Sequence, residues 1–76
     1  MKSQIIDILN GIRPEFDFST ETEFISNGML DSFDVITLVT ELDEAFGISI
    51  DGAEILPENF ESIDSIEVLI KNNGAQ

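Results

Sequence analysis

The sequence predicts an all-α fold: a small bundle of three main helices plus one short helix, formed by a single domain over residues 1–76. Two apolar patterns repeat at helical spacing, near residues 5–12 and 35–46. A third segment, residues 64–70, combines a capping pattern with an apolar face. The mean hydropathy is +0.12 and the chain has six phenylalanines, so it can form a core despite its high charge.

The first predicted helix covers residues 3–12 and ends before a proline. Pro14 restricts the backbone of Arg13, so the helix cannot continue far beyond residue 12. Four apolar residues recur at i, i+3, i+4 and i+7 and share one helical face: Ile5, Ile8, Leu9 and Ile12.

Residues 14–31 form a long connection in which no periodic pattern holds. Connections of this length are uncommon in compact domains and are often packed by their own side chains. This one has six large apolar side chains: Phe16, Phe18, Phe24, Ile25, Met29 and Leu30. We therefore expect an ordered loop, with a turn at Gly28.

The second predicted helix covers residues 31–46 and has the clearest pattern. Asp31 and Ser32 are both favourable N-cap residues, and Asp34 suits the positive end of the helix dipole. Phe33 falls on the side opposite the apolar face and Ile36 at its border. The apolar face itself consists of Val35, Leu38, Val39, Leu42 and Phe46, with Gly47 as the C-terminal stop.

The last third of the chain is predicted to contain short turns and a final helix. Residues 53–56 can form one helical turn, and residues 57–60 a second one that begins with proline. The final helix is expected to begin at Asp64, which forms a capping-box pattern with Glu67. Residues 73–74, Asn-Gly, are expected to end it.

The composition excludes several function classes. With no histidine and no cysteine, the chain has no imidazole base, thiolate nucleophile or disulfide. Sixteen acidic residues against three basic ones give a net charge of -13, which opposes nucleic-acid binding and self-association. We predict a monomeric protein that is not an enzyme. Its location is expected to be cytoplasmic, since neither a signal peptide nor a membrane span is recognisable.

Ser32 is the candidate site residue, at the start of a helix between Asp31 and Asp34. It is not expected to act as a hydrolytic nucleophile, since the chain offers no histidine to activate it. A phosphoester on its hydroxyl is more reasonable, because the first N–H groups of a helix are unpaired and the dipole end is positive. The alternative is that Ser32 is only a helix cap.

Residues 28–32 read Gly-Met-Leu-Asp-Ser and lead into a helix that ends Leu-Asp-Glu-Ala-Phe-Gly-Ile at residues 42–48. Together with chain length, charge and helix order, this pattern resembles the acyl carrier protein family. The resemblance implies that Ser32 carries 4′-phosphopantetheine, transferred covalently from coenzyme A by a magnesium-dependent phosphopantetheinyl transferase. The terminal thiol would then hold acyl or aminoacyl groups as thioesters. The other implied partners are an acyl- or aminoacyl-activating ligase and acyl-processing enzymes.

Two features bear on the carried group. Phe33 stands where this family usually has leucine, and residues 50–63 are several residues longer than in common fatty-acid carriers. The resemblance favours a specialised acyl carrier in fatty-acid or polyketide biosynthesis, with a D-alanyl or other aminoacyl carrier as the alternative. An interpretation from another class is a plain acidic interaction module, such as a nucleic-acid mimic.

Phe33 and Ile36 are also candidates for partner recognition. They would form an apolar centre suited to brief docking onto a basic enzyme patch, with charge steering the encounter. The alternative for Phe33 is that it folds back against Met29 or Leu30. Four acidic residues would form the rim: Asp31, Asp34, Glu41 and Glu44.

Overall fold

The computed structural model describes residues 1–74. Its three α-helices are α1 (Lys2–Ile12), α2 (Ser32–Phe46) and α3 (Ile63–Asn72). Two short 3₁₀ turns, Gly52–Glu54 and Pro57–Phe60, lie between α2 and α3. Residues 1–74 contain no strand, which confirms the all-α prediction. None of the helices described is long and apolar enough to cross a membrane.

The core lies where α1 packs against both α2 and α3. Each helix buries the face that its apolar spacing predicts. The buried helical residues are Ile5 and Leu9 of α1, Val35, Leu38, Val39 and Leu42 of α2, and Ile66, Leu69 and Ile70 of α3. Phe60, from the second 3₁₀ turn, is also fully buried and ties this turn to α3.

The loop over residues 13–31 is ordered by its own side chains, as predicted. Phe18 and Phe24 are fully buried, and their rings meet edge to face with centroids 5.0 Å apart. Met29 and Leu30 are also buried. Gly28 has φ +73°, a conformation that glycine adopts without the steric cost of a side chain, so the predicted turn is present. The packing of this loop therefore fixes the position of the backbone that leads into α2.

The predicted start of the last helix is wrong. Ser62 is the N-cap, since its hydroxyl accepts a hydrogen bond from the Ser65 N–H at 3.1 Å, and α3 begins at Ile63. Asp64 consequently lies inside the first turn, where its carboxylate pairs with Lys2 Nζ at 2.9 Å. The turn predicted at residues 53–56 is also shifted, because Asp51 caps a 3₁₀ turn that ends at Glu54.

Candidate functional site

The N-terminus of α2 is held by a reciprocal capping box. Asp31 has an extended backbone, and its Oδ1 accepts a hydrogen bond from the Asp34 N–H at 2.8 Å. Asp34 Oδ2 in turn accepts from the Asp31 N–H at 3.2 Å. Of the two predicted caps, Asp31 therefore takes this role. Ser32 is the first residue of the helix, and its hydroxyl is not required to cap it.

Ser32 is exposed. Its Oγ makes no hydrogen bond with any residue in the part of the chain that the structure describes. Within the same residues, the backbone N–H groups of Ser32 and Phe33 also have no acceptor. Unpaired N–H groups at the positive end of a helix dipole stabilise an anion. The arrangement can thus accept a phosphoester on Ser32 without displacing an existing contact.

Asp34 differs from the prediction that it belongs to an exposed acidic rim. Only 8% of the residue is exposed, and its carboxylate contacts Arg13, whose Nε donates to Asp34 Oδ2 at 2.7 Å. Burial by itself raises the pKa of Asp34, but hydrogen bonds from Arg13 and Asp31, together with the charge of Arg13, lower the pKa below its usual value. Asp34 consequently stabilises the start of the helix, and little of it is exposed.

An apolar groove of about 250 Å³ runs beside Ser32, between α2 and the segment that follows the first 3₁₀ turn. It is open to solvent, and its lining includes Ser32 and two exposed large hydrophobic residues, Ile36 and Leu56. The remaining lining residues are Ile25, Leu30, Asp31, Val35, Ile55 and Pro57. The serine therefore lies at the edge of an apolar surface that a covalently attached group could reach.

Phe33 and Ile36 form an exposed apolar ridge on α2. Phe33 is 75% exposed and Ile36 60% exposed, so Phe33 does not fold back against Met29 or Leu30. The two side chains border different grooves: Ile36 lines the one beside Ser32, whereas Phe33 lines a second one between α1 and α2. Both are thus available to a protein that approaches the start of α2.

The exposed acidic residues of the predicted rim are spread along α2. Asp31, Glu41 and Glu44 are all exposed. Glu41 borders the same groove as Phe33, whereas Glu44 lines neither groove. At 1.5 Å per residue, Glu44 lies about 18 Å along the helix from Ser32. The structure therefore brings Asp31, Ser32, Phe33 and Ile36 together and places Glu44 apart from them.

The chain is similar in sequence to D-alanyl carrier proteins. The D-alanyl carrier protein of Lactococcus lactis subsp. cremoris (strain MG1363) is 33% identical over 73 residues, which cover 93% of this chain and 92% of that protein. This chain belongs to the acyl carrier protein family. A second D-alanyl carrier protein, from Lactococcus lactis subsp. lactis (strain IL1403), is 32% identical over the same lengths. No family model and no solved structure matches the chain.

Membership of this family favours a carrier over the plain acidic interaction module. An interaction module needs only the charge and the helices, whereas a carrier also needs a hydroxyl that another enzyme can reach. Ser32 is exposed at the first residue of α2, which meets that requirement.

Glu61 contributes to the site although no local sequence pattern singles it out. Its Oε1 accepts hydrogen bonds from the N–H groups of Ile25 and Ser26, at 2.9 and 3.2 Å, and its Oε2 accepts from Ser26 Oγ at 2.7 Å. The Phe24 N–H also donates to the Glu61 carbonyl oxygen at 2.8 Å. Glu61 thus ties the loop that leads to Ser32 to the residues that precede α3.

We expect Glu61→Gln to destabilise the protein near neutral pH and to do so less in acid. The Ser26 hydroxyl, followed by the N–H groups of Ser26 and Ile25, lowers the pKa of Glu61 below its ordinary 4.5. The stabilisation is therefore fully present above that value and is lost as the pH falls through the lower pKa of the folded state. Urea unfolding at several pH values measures the difference between wild type and variant.

Glu58→Gln is the matched control for this prediction, because Glu58 is exposed and its substitution by glutamine also removes one negative charge. The Glu58 side chain has no hydrogen-bond partner in residues 1–74. The stability of the Glu58→Gln variant should therefore depend on pH as that of the wild type does. Equal losses in the two variants, or a Glu61→Gln effect that is constant with pH, would refute the role of the Glu61 contacts.

Proposed function

We propose that this protein carries D-alanyl groups as thioesters on a 4′-phosphopantetheine attached to Ser32, and that it has no catalytic activity of its own. The observation that carries the proposal is the exposed hydroxyl on the first residue of α2, which has no hydrogen-bond partner within residues 1–74. The 33% identity to a D-alanyl carrier protein supports the aminoacyl alternative over a fatty-acid or polyketide role.

The residues at the start of α2 fit the attachment of phosphopantetheine. On transfer, the Ser32 oxygen forms a bond to the β-phosphorus of coenzyme A and the phosphoanhydride bond breaks. Adenosine 3′,5′-bisphosphate leaves, and the serine proton goes to a base of the transferase. The N–H groups of Ser32 and Phe33, which have no acceptor among the described residues, would then stabilise the charge of the phosphodiester. The bound group supplies a terminal thiol that forms the thioester.

A small carried group suits the packing around Ser32. The groove beside it is open and measures about 250 Å³. Leu30, which lines the groove, is buried and belongs to a close-packed core. A long acyl chain would need a cavity that opens within this core, whereas a D-alanyl group needs none. The chain also has no cysteine or histidine to attack the thioester.

Partner docking is proposed at the apolar ridge of Phe33 and Ile36. Both side chains are exposed beside Ser32, so an enzyme that contacts them would have the modified serine within its site. The exposed carboxylates of Asp31, Glu41 and Glu44 would steer a basic partner surface to this helix. The proposed partners are the phosphopantetheinyl transferase, a D-alanine-activating ligase and the enzyme that receives the D-alanyl group.

The proposal is tested by loading the protein in two steps. The chain is first incubated with coenzyme A, magnesium and a broad-specificity phosphopantetheinyl transferase, and its intact mass is measured. The modified protein is then offered to a D-alanine–carrier ligase with ATP and D-alanine, and separately to an acyl–carrier synthetase with ATP and a long-chain fatty acid.

We expect one phosphopantetheine per chain, followed by a D-alanyl thioester that hydroxylamine releases. An unmodified mass in the first step would overturn the carrier function. Rapid fatty acylation without D-alanylation would leave the carrier function in place and refute the proposed cargo.

A further inference from the structure

One arginine links the end of α1 to the start of α2. Arg13 Nε donates to Asp34 Oδ2 at 2.7 Å, and Arg13 Nη2 lies 3.4 Å from Asp31 Oδ2. These two aspartates are the members of the capping box that encloses Ser32. The other two basic residues of the chain pair elsewhere, Lys2 with Asp64 and Lys71 with Glu67. Arg13 is therefore the only cation that contacts the capping box within residues 1–74.

The local sequence explains why Arg13 can reach across to α2. Pro14 forces the residue before it out of the helical conformation, and Arg13 has φ −133° and ψ 79°. Its own N–H still donates to the Leu9 carbonyl oxygen at 2.9 Å, so its backbone is fixed to the last turn of α1. From this anchored position the planar guanidinium contacts both aspartates of the capping box, and its Nη1 also lies 3.4 Å from Glu15 Oε2. A lysine ammonium makes several such contacts less well.

We propose that Arg13 is a positioning residue for the modification of Ser32, an inference that rests on the proposed function. Arg13 acts through Asp31 and Asp34, whose mutual hydrogen bonds set the backbone on both sides of the serine. Without the guanidinium, these two carboxylates would repel each other across Ser32, and Asp34 would be a mostly buried, unpaired charge. The phosphodiester then adds a further negative charge at the same place, which Arg13 partly neutralises.

The test measures the kinetics of phosphopantetheine transfer to the apo protein, by intact mass, for wild type, Arg13→Gln, Asp34→Asn and the double variant. We expect each single substitution to lower kcat roughly tenfold, since small misplacements of a reacting group have effects of this size, with KM within about twofold. A simple loss of folded protein would instead raise the apparent KM at unchanged kcat. The double variant should be no slower than the slower single variant, because both substitutions break the same contact between Arg13 and Asp34.

Lys2→Gln is the matched control for charge, since it also removes one positive charge, and its ion pair with Asp64 lies at the far end of α1. It should leave kcat and KM unchanged. The kcat of Arg13→Lys should lie between those of the wild type and Arg13→Gln, because lysine keeps the positive charge but lacks the planar guanidinium with its several N–H donors. If Arg13→Gln does not fold, Arg13→Lys and Asp34→Asn carry the test.

Three results would overturn the role of Arg13 while the wild-type chain is modified normally. They are unchanged kcat in Arg13→Gln and Asp34→Asn, multiplicative losses in the double variant, and an equal loss in Lys2→Gln. Failure of the wild-type chain to accept phosphopantetheine would refute the proposed function instead, so the two failures are distinguishable.

Discussion

Ser32→Ala is expected to abolish phosphopantetheine loading completely while leaving the fold intact. The hydroxyl oxygen is the atom that forms the phosphoester bond, and alanine has no atom that replaces it. Stability should change by less than about 0.5 kcal/mol, since Asp31 rather than Ser32 caps α2 and Ser32 Oγ makes no hydrogen bond with a described residue. Intact mass after incubation with transferase, coenzyme A and magnesium measures the first effect, and thermal unfolding the second.

Ser49→Ala is the control for this substitution. Ser49 is exposed, lies outside the helices and has no side-chain hydrogen bond within residues 1–74, so its loss should affect neither loading nor stability. A full mass shift in Ser32→Ala would mean that another hydroxyl accepts the group. A large drop in the melting temperature of Ser32→Ala would mean that this serine has a structural role and that its loss of loading is indirect.

The sequence predicts the neighbourhood of Ser32 well because the determining interactions are local. A capping aspartate, a helix that starts beside it and apolar residues at helical spacing all act within one or two turns. These signals suffice to place Ser32, Phe33 and Ile36 on an exposed helix start. Residue type alone does not decide whether Asp31 or Ser32 is the N-cap, since both types suit that position.

The contacts that hold this site to the rest of the protein could not be predicted in the same way. Arg13 meets Asp34 across 21 positions of the chain, and Glu61 meets Ser26 across 35. Such pairs depend on how α1 and α3 pack against the loop, which no local pattern encodes. One signal was available for Asp34: it lies four residues before the buried Leu38, hence near the apolar face, where a carboxylate needs a partner.

Phe24→Ala is expected to give a large loss of stability, about 3–5 kcal/mol, since it removes a fully buried ring from the core. At about 0.05–0.15 kcal/mol per residue, a chain of 76 residues has a total stability of about 4–11 kcal/mol. The variant would therefore be near its unfolding threshold. The Phe24 carbonyl oxygen also accepts hydrogen bonds from the N–H groups of Met29 and Leu30. The loop that precedes Ser32 should therefore become less rigid in the variant. Urea unfolding and amide hydrogen exchange measure the two effects.

Phe33→Ala separates burial from docking, because the same side chain is removed from an exposed position of α2. Its stability should change by less than about 0.5 kcal/mol, since little apolar area is lost from the interior. If Phe33 contacts partners as proposed, the variant should instead raise the KM of the transferase or the ligase by several-fold, because docked aromatic side chains contribute strongly to affinity. Unchanged kinetics would remove Phe33 from the docking surface, and a loss of stability as large as that of Phe24→Ala would contradict its exposed placement.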